Sequence, residues 1–341
     1  MNMKKLNVTL AILVAAVMAG NAQTTVNSDI VGYQTISVPV GLSTAAFPLL
    51  NPDLLKTTAT ALSGTALGLS GQANVGALLT GGEPYYLEVY SGTNKGDRFD
   101  VDVAATIAAA NGNVVLNSAS VSNTFPVGSL GTNLNGATVA IRKHVTIEQV
   151  KSMSSSAWVG NNNPSLADQI QFYDSAAGGF VACYLRGDGN NWRQVGTTTV
   201  VNKVAIPAGV GVFISKMTGA TTLTAVGNVR QNDFATPLVA GLQLVAPAVP
   251  IDVTPSSIGG TVANGWTGNN NPALADQIQV YNPVTAGFDA YYLRSDGTNW
   301  RKNGTTTVVT SSAVATSGQA YFLSRNTADN INVLVNPVSN Q

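Results

Sequence analysis

The chain has 341 residues, with 17 Lys and Arg balanced by 17 Asp and Glu, so its formal net charge is zero. Charged residues make up only 10% and hydrophobic ones 45%, which excludes two classes at once. There is no clustered positive charge to displace counterions from nucleic acid or to hold an anionic membrane surface, and there is too much apolar side chain for a disordered tail.

At the N-terminus, Met1–Lys5 carries two lysines, Leu6–Ala19 is largely apolar, and Gly20-Asn21-Ala22 offers small residues where a signal peptidase reads. This pattern predicts a secretory signal peptide, residues 1–22, cleaved after Ala22. The apolar run falls short of the ~20 residues a membrane span needs. No Cys follows it to carry a lipid, and no later segment is apolar enough to serve as a transmembrane anchor. The expected location is secreted or at the cell surface, with the periplasm as the alternative. About 320 mature residues exceed one ordinary core, so two or three domains are expected.

Residues 23–136 read as an irregular β region. Its candidate strands are Gln34–Val40, Pro84–Tyr90, Phe99–Val103 and Asn113–Leu116, while Pro52–Leu79, rich in Leu, Ala, Gly, Ser and Thr, reads as a long loop with at most one short helix. Residues 138–201 then return 108 positions later as residues 246–309, without a gap. Over its clearest stretch, from Trp158 and Trp266 onward, roughly two-thirds of the paired positions are identical, and a repeat of this length is a foldable module rather than a solenoid unit. The predicted modules are copy 1, residues 137–232, and copy 2, residues 233–341, with a linker near Gly227–Pro237. A second parsing joins Gln23–Lys216 into one large domain, the N-terminal third elaborating the first copy.

Inside the module the period is two. Ile170 and Phe172 point one way while Gln169, Gln171 and Tyr173 point the other, and Gln277–Tyr281 repeats the alternation. Small residues at Ser175–Gly179 and the Gly187-Asp188-Gly189-Asn190 step supply hairpin turns. In the middle strand Phe180, Ala182, Tyr184 and Arg186 have identical counterparts, whereas Val181 and Cys183 become Asp289 and Tyr291. The face that accepts this change is expected to be wet, leaving the other as the core face. Cys183 is the only cysteine, so no intrachain disulfide can form, and its replacement by Tyr291 marks the thiol as dispensable to the module.

Two resemblances emerge from these residues. Gly241-Leu242-Gln243-Leu244-Val245-Ala246-Pro247, then Asp276-Gln277-Ile278, then Pro207–Lys216 resembles β-sandwich-like modules of bacterial secreted surface proteins. Residues 28–335 also resemble an uncharacterised family of secreted proteins of Verrucomicrobia and related bacteria, with tandem β modules. The residues that carry this are Val31-Gly32-Tyr33, Tyr86–Val89, Ser91-Gly92, Gly96, Phe99, Ile141–Thr146, Ala167–Ile170, Tyr184–Arg186 and Asn191–Arg193. The resemblance implies secretion and β architecture and brings no activity with it.

The sequence offers four kinds of candidate site. The single histidine, His144, has no triad motif around it, and its counterpart is Asp252, so a structural role is expected. Asp97, Asp100 and Asp102, and separately Asp168 and Asp276 with their Asn runs, offer oxygens of the kind calcium accepts, against a competing role in capping turns. Trp158, Tyr173 and Trp192 recur as Trp266, Tyr281 and Trp300 and could stack sugar rings, although a Trp beside a turn is also a common core plug. Arg186-Gly187-Asp188 spells an integrin-binding tripeptide but becomes Arg294-Ser295-Asp296 in the second copy, which favours a plain turn.

The expected fold is all-β: tandem antiparallel β-sandwich-like modules behind an irregular N-terminal β region. The expected function is a secreted, non-enzymatic structural or adhesive protein of the cell envelope or matrix. Its partners would be copies of itself or other envelope components, not nucleic acid, and no cofactor is required beyond an optional calcium. The alternative is a carbohydrate-binding protein using the paired aromatics on glycans.

Overall fold

The computed structural model describes residues 30–117, 133–327 and 331–332; the predicted signal peptide lies outside them. The fold is all-β and sandwich-like. Its two largest repeated elements are five-stranded antiparallel sheets of the same order. One runs Trp192–Gln194, Gly179–Leu185, Gln169–Asp174, Val212–Lys216, Gly41–Ala45, and the other Trp300–Lys302, Gly287–Leu293, Gln277–Asn282, Tyr321–Arg325, Gly241–Val245. Register matches strand for strand: Gln171 lies opposite Ala182 and Phe213, as Gln279 lies opposite Ala290 and Phe322.

The edge strand of the first sheet comes from Gly41–Ala45, so copy 1 is not confined to residues 137–232. Gly41-Leu42 corresponds to Gly241-Leu242, 200 positions later, whereas the rest of the module repeats at 108 or, after one inserted residue, at 109. The difference is an insertion. The chain leaves copy 1 after Leu50, builds a separate six-stranded sheet, and returns at His144. That sheet has the order Arg98–Asp100, Tyr85–Val89, Thr138–Lys143, Asp53–Ser63, Ala66–Leu69, Asn113–Val115. Structural equivalence of the copies therefore starts near Val145 and Val253, not at residue 138: Thr138–Lys143 is a strand of the inserted sheet, and residues 246–251 form none. Asn51 staples the base of the insertion by donating its side-chain amide to the carbonyls of Lys143 at 2.9 Å and His144 at 3.2 Å.

Two local expectations change. Asp53–Ser63 is an eleven-residue strand rather than a loop, because Leu55, Thr57 and Ala59 alternate inward and β-branched Thr57, Thr58 and Thr60 suit the pleat. At Val103 the predicted strand gives way to a helix, Val103–Ala109, nucleated by the Asp102 carboxylate accepting from Ala105 N–H at 2.9 Å.

Four apolar clusters hold the described residues together. Each module has its own core, on the face carrying Ile170, Leu185 and Ile214 in copy 1 and Ile278, Leu293 and Leu323 in copy 2. The inserted sheet has a third, around Leu67, Leu87, Phe99 and Ile141. The fourth lies between the copies, around Phe213, Leu244, Tyr281 and Phe322. The face predicted to be wet is instead the core face: Cys183 lies opposite Ile170 and shares the copy 1 core with Phe172 and Leu185, and in copy 2 Tyr291, opposite Ile278, packs against the corresponding core. Only its outer end differs, where Val181 lines a cleft with residues of the insertion and Asp289 makes a partly solvated ion pair with Lys302 at 2.8 Å. The opposite face, predicted to be core, turns to the junction between the copies, with Tyr184 buried but Phe180 half exposed.

The junction between copies has pseudo-twofold symmetry. Tyr173 packs edge-on against Phe322 at 5.0 Å, and Tyr281 does the same to Phe213 at 5.5 Å. Ala46 N–H donates to Gly318 O at 2.8 Å, and Ala246 N–H to Gly209 O at 2.9 Å. Both glycines sit at positive φ, +83° and +86°, a geometry that turns the carbonyl toward the other copy and that a side chain would disfavour. These contacts come in matched i–j and j–i pairs, the isologous pattern of a symmetric dimer formed here within one chain.

The expected linker is a docked strap. Arg230 and Phe234 are fully buried: Arg230 pairs with the Glu88 carboxylate, itself buried beside Arg142, and the guanidinium of Arg98 lies 3.9 Å from the Phe234 ring. An Asp233–Lys95 ion pair at 2.5 Å fastens the strap's outer side to the inserted sheet.

Candidate functional site

The tryptophans are core, which corrects the expectation of a sugar platform. Trp158 and Trp192 meet edge to face at 5.4 Å, and Trp266 and Trp300 at 5.5 Å; all four are at least nine-tenths buried. A buried cation closes each pair. Lys216 Nζ lies 4.7 Å from the Trp158 ring and the Arg325 guanidinium 4.6 Å from Trp266. Each cation is neutralised by a fully buried carboxylate, Asp168 or Asp276. Asp168 also accepts from Val159 N–H at 2.8 Å and Met217 N–H at 2.7 Å; Asp276 accepts from Thr267 and Asn326 N–H at the same two distances. Tyr173 and Tyr281 are spent on the aromatic junction between copies. The four tryptophans and Tyr281 are buried, and Tyr173 is half-buried against Phe180 and Phe322.

The acidic clusters do not converge. Asp97 accepts from the Asn94 side chain at 3.2 Å, Asp100 lies 3.0 Å from His144 Nε2, and Asp102 caps its helix. Among the described residues no group of three or more His, Cys, Asp or Glu side chains is placed to hold a metal ion. The Asn runs close turns: Asn163 caps a 3-10 turn through Ser165 N–H at 3.0 Å, and Asn162 accepts from Arg186 Nε at 3.1 Å. Asn270 holds Arg294 in the same way. In the Arg-Gly-Asp turn, Asp188 accepts from the backbone and side chain of Asn191 and from Asn190 N–H. These bonds bring its carboxyl down to about 2 and fix it as a turn cap.

His144 is buried at the foot of the insertion, its ring 4.6 Å from Tyr86. Cys183 is buried in the sheet, and desolvation pushes its thiol up to about 11. Thiol labelling with 4,4′-dithiodipyridine at neutral pH should accordingly be slow in the native protein and fast in denaturant. Fast labelling of folded protein would show Cys183 to be open and ionised.

A surface feature that the site reading of the sequence missed is a two-stranded antiparallel ribbon, Val31–Val38 with Thr221–Asn228. Strict alternation splits it into two faces. Ile36, Val38, Leu223 and Ala225 turn inward, while Val31, Tyr33, Thr35, Thr224 and Val226 face solvent. Val31, Tyr33 and Val226 are 66%, 70% and 63% exposed, and Tyr33 lies opposite Val226 in register. None of the sixteen ribbon residues is charged. Among the described residues, no other strand pairs with Val31–Val38, so one edge of the ribbon is open. The signal available in the sequence was this absence of charge across an alternating Val-Tyr-Thr-Ile-Val run.

No helix among the described residues is long and apolar enough to cross a membrane. Compared with known protein families, with characterised proteins and with solved structures, the chain finds no match in any of the three.

Proposed function

We propose that the protein is a secreted, non-enzymatic structural or adhesive component of the cell envelope or extracellular matrix, and that it associates with copies of itself through the Val31–Val38 ribbon. The observation that carries this reading is the ribbon's uncharged, open edge with its exposed Val31, Tyr33 and Val226. Proteins that must stay monomeric blunt such edges with Lys, Pro or a covering segment; a chain that leaves one bare has a ready template for pairing. Zero net charge supports the same reading, because it removes long-range repulsion between copies. The likeness to tandem-module secreted proteins goes with it. Burial of the four tryptophans removes the support for the carbohydrate-binding alternative.

Tyr33→Lys tests the reading. Placed on the exposed face, the charge leaves the module cores untouched and should shift self-association at least tenfold toward free protein, about 1.4 kcal/mol, at unchanged circular dichroism. Undiminished association would direct attention away from the ribbon.

A further inference from the structure

The two copies have diverged in a pattern that their shared fold does not require. Within the strands 169–174, 179–185 and 192–194 they differ at five positions: Phe172, Asp174, Val181, Cys183 and Gln194. The Asp174 change is conservative in role, since both Asp174 and Asn282 accept from the next turn's backbone N–H groups. The other four all line one cleft, of about 450 Å³, between the sheet of copy 1 and the inserted sheet. Their counterparts Val280, Asp289, Tyr291 and Lys302 face no insertion, and the Asp289–Lys302 pair there is partly solvated.

Covering a sheet face with an inserted domain explains the loss of charge. It does not explain the volume left open among the described residues, because two faces selected only to pack would close to interior density. The volume falls in the range of small-molecule sites, which are mostly apolar with a few placed polar groups. This cleft has that composition. Phe172, Val181 and Val204 form apolar walls, while Asp100 and Gln194 supply polar atoms at the edge.

We propose that the cleft between the insertion and copy 1 binds a neutral, mainly apolar small molecule bearing a hydroxyl or amide N–H group, which Asp100 accepts. The lining sets the charge. Among the described residues it contains no Lys or Arg to pair with an anion, and one oxygen of the Asp100 carboxylate is already engaged by His144 Nε2 at 3.0 Å. The protonated state of the Cys183 thiol, favoured by burial, adds apolar surface rather than charge. This site is separate from the ribbon and does not depend on self-association.

Saturation-transfer NMR of residues 23–341 with benzyl alcohol, cyclohexanol and indole as neutral probes tests the proposal. Cys183→Tyr imports the side chain that copy 2 carries at the same sheet position and fills the cleft. At least one probe should bind the wild type saturably and bind Cys183→Tyr about tenfold more weakly or not at all. Absence of binding by all three probes, or equal binding by a folded Cys183→Tyr, would overturn it. Should that variant not fold, the wild-type thiol serves as the reporter. The bound probe should slow 4,4′-dithiodipyridine labelling of Cys183 severalfold, and an unchanged rate counts against the site.

Discussion

Asp168→Ala should destabilise the protein by about 3–5 kcal/mol, the range found when one partner of a buried ion pair is removed. The carboxylate is fully buried and holds three groups at once: the Lys216 ammonium and the N–H groups of Val159 and Met217. Without it, the ammonium keeps only a 3.4 Å contact to Ala157 O and the face of Trp158, in a place water does not reach. Asp276→Ala should cost a similar amount, because Arg325 then loses its carboxylate and keeps Gly265 O at 2.8 Å. Lys216→Arg is the control. The second copy holds Arg325 in the equivalent socket, so Arg should be tolerated far better than Lys216→Met, which strands the carboxylate instead. Urea denaturation followed by tryptophan fluorescence measures all four. A loss below about 1 kcal/mol for Asp168→Ala, typical of an exposed pair, would contradict the buried geometry.

Trp192→Ala and Trp300→Ala should each cost about 3–5 kcal/mol, as large-to-small changes in a packed core do. Both side chains are completely buried and each is half of an edge-to-face pair. The two sites should separate when Phe replaces Trp. Trp300 Nε1 donates to Gly260 O at 2.6 Å, whereas Trp192 Nε1 has no acceptor among the described residues. Trp300→Phe therefore leaves a buried carbonyl unpaired and should lose about 1–3 kcal/mol more than Trp192→Phe. The same variants bear on the sugar reading. Glycans added to wild-type protein should leave tryptophan emission unchanged, and a saturable shift would reopen it.

Much of this architecture was legible in the residues. The period-two alternation at Gln169–Tyr173, the hairpin turns and the 108-residue repeat led directly to two like sheets. The interruption of copy 1 was not, for a physical reason. The strand Gly41–Ala45 shares only Gly-Leu with Gly241–Val245, because an edge strand is specified mainly by its turn glycine and its inward positions. Without that match, the inserted sheet reads as an N-terminal region of its own. The parsing that joined residues 23–216 lay closer to the observed strand pairing, since it kept both pieces of copy 1 together.

The tryptophans misled because a hairpin clasp and a sugar platform look alike along the chain. A cation 58 positions downstream of Trp158, and 59 downstream of Trp266, closes each pair, and neither spacing nor composition predicts that contact. The acidic residues were misleading in the same way. Asp97, Asp100 and Asp102 are close in sequence, yet a turn, a strand and a helix cap send them to three different partners. Divergence between the copies was the more reliable guide. The change from Val181 and Cys183 to Asp289 and Tyr291 marks a face whose surroundings differ, although that face is the core face of both modules and only its outer end is solvated in copy 2.

The most direct test of the account is sedimentation velocity of residues 23–341 over a hundredfold range of concentration, without sugar or calcium. The account predicts a weight-average mass that climbs with concentration and a fall toward monomer in Tyr33→Lys. A wild-type mass that stays at one chain across the whole range would contradict self-association through the ribbon, and with it the proposed structural role.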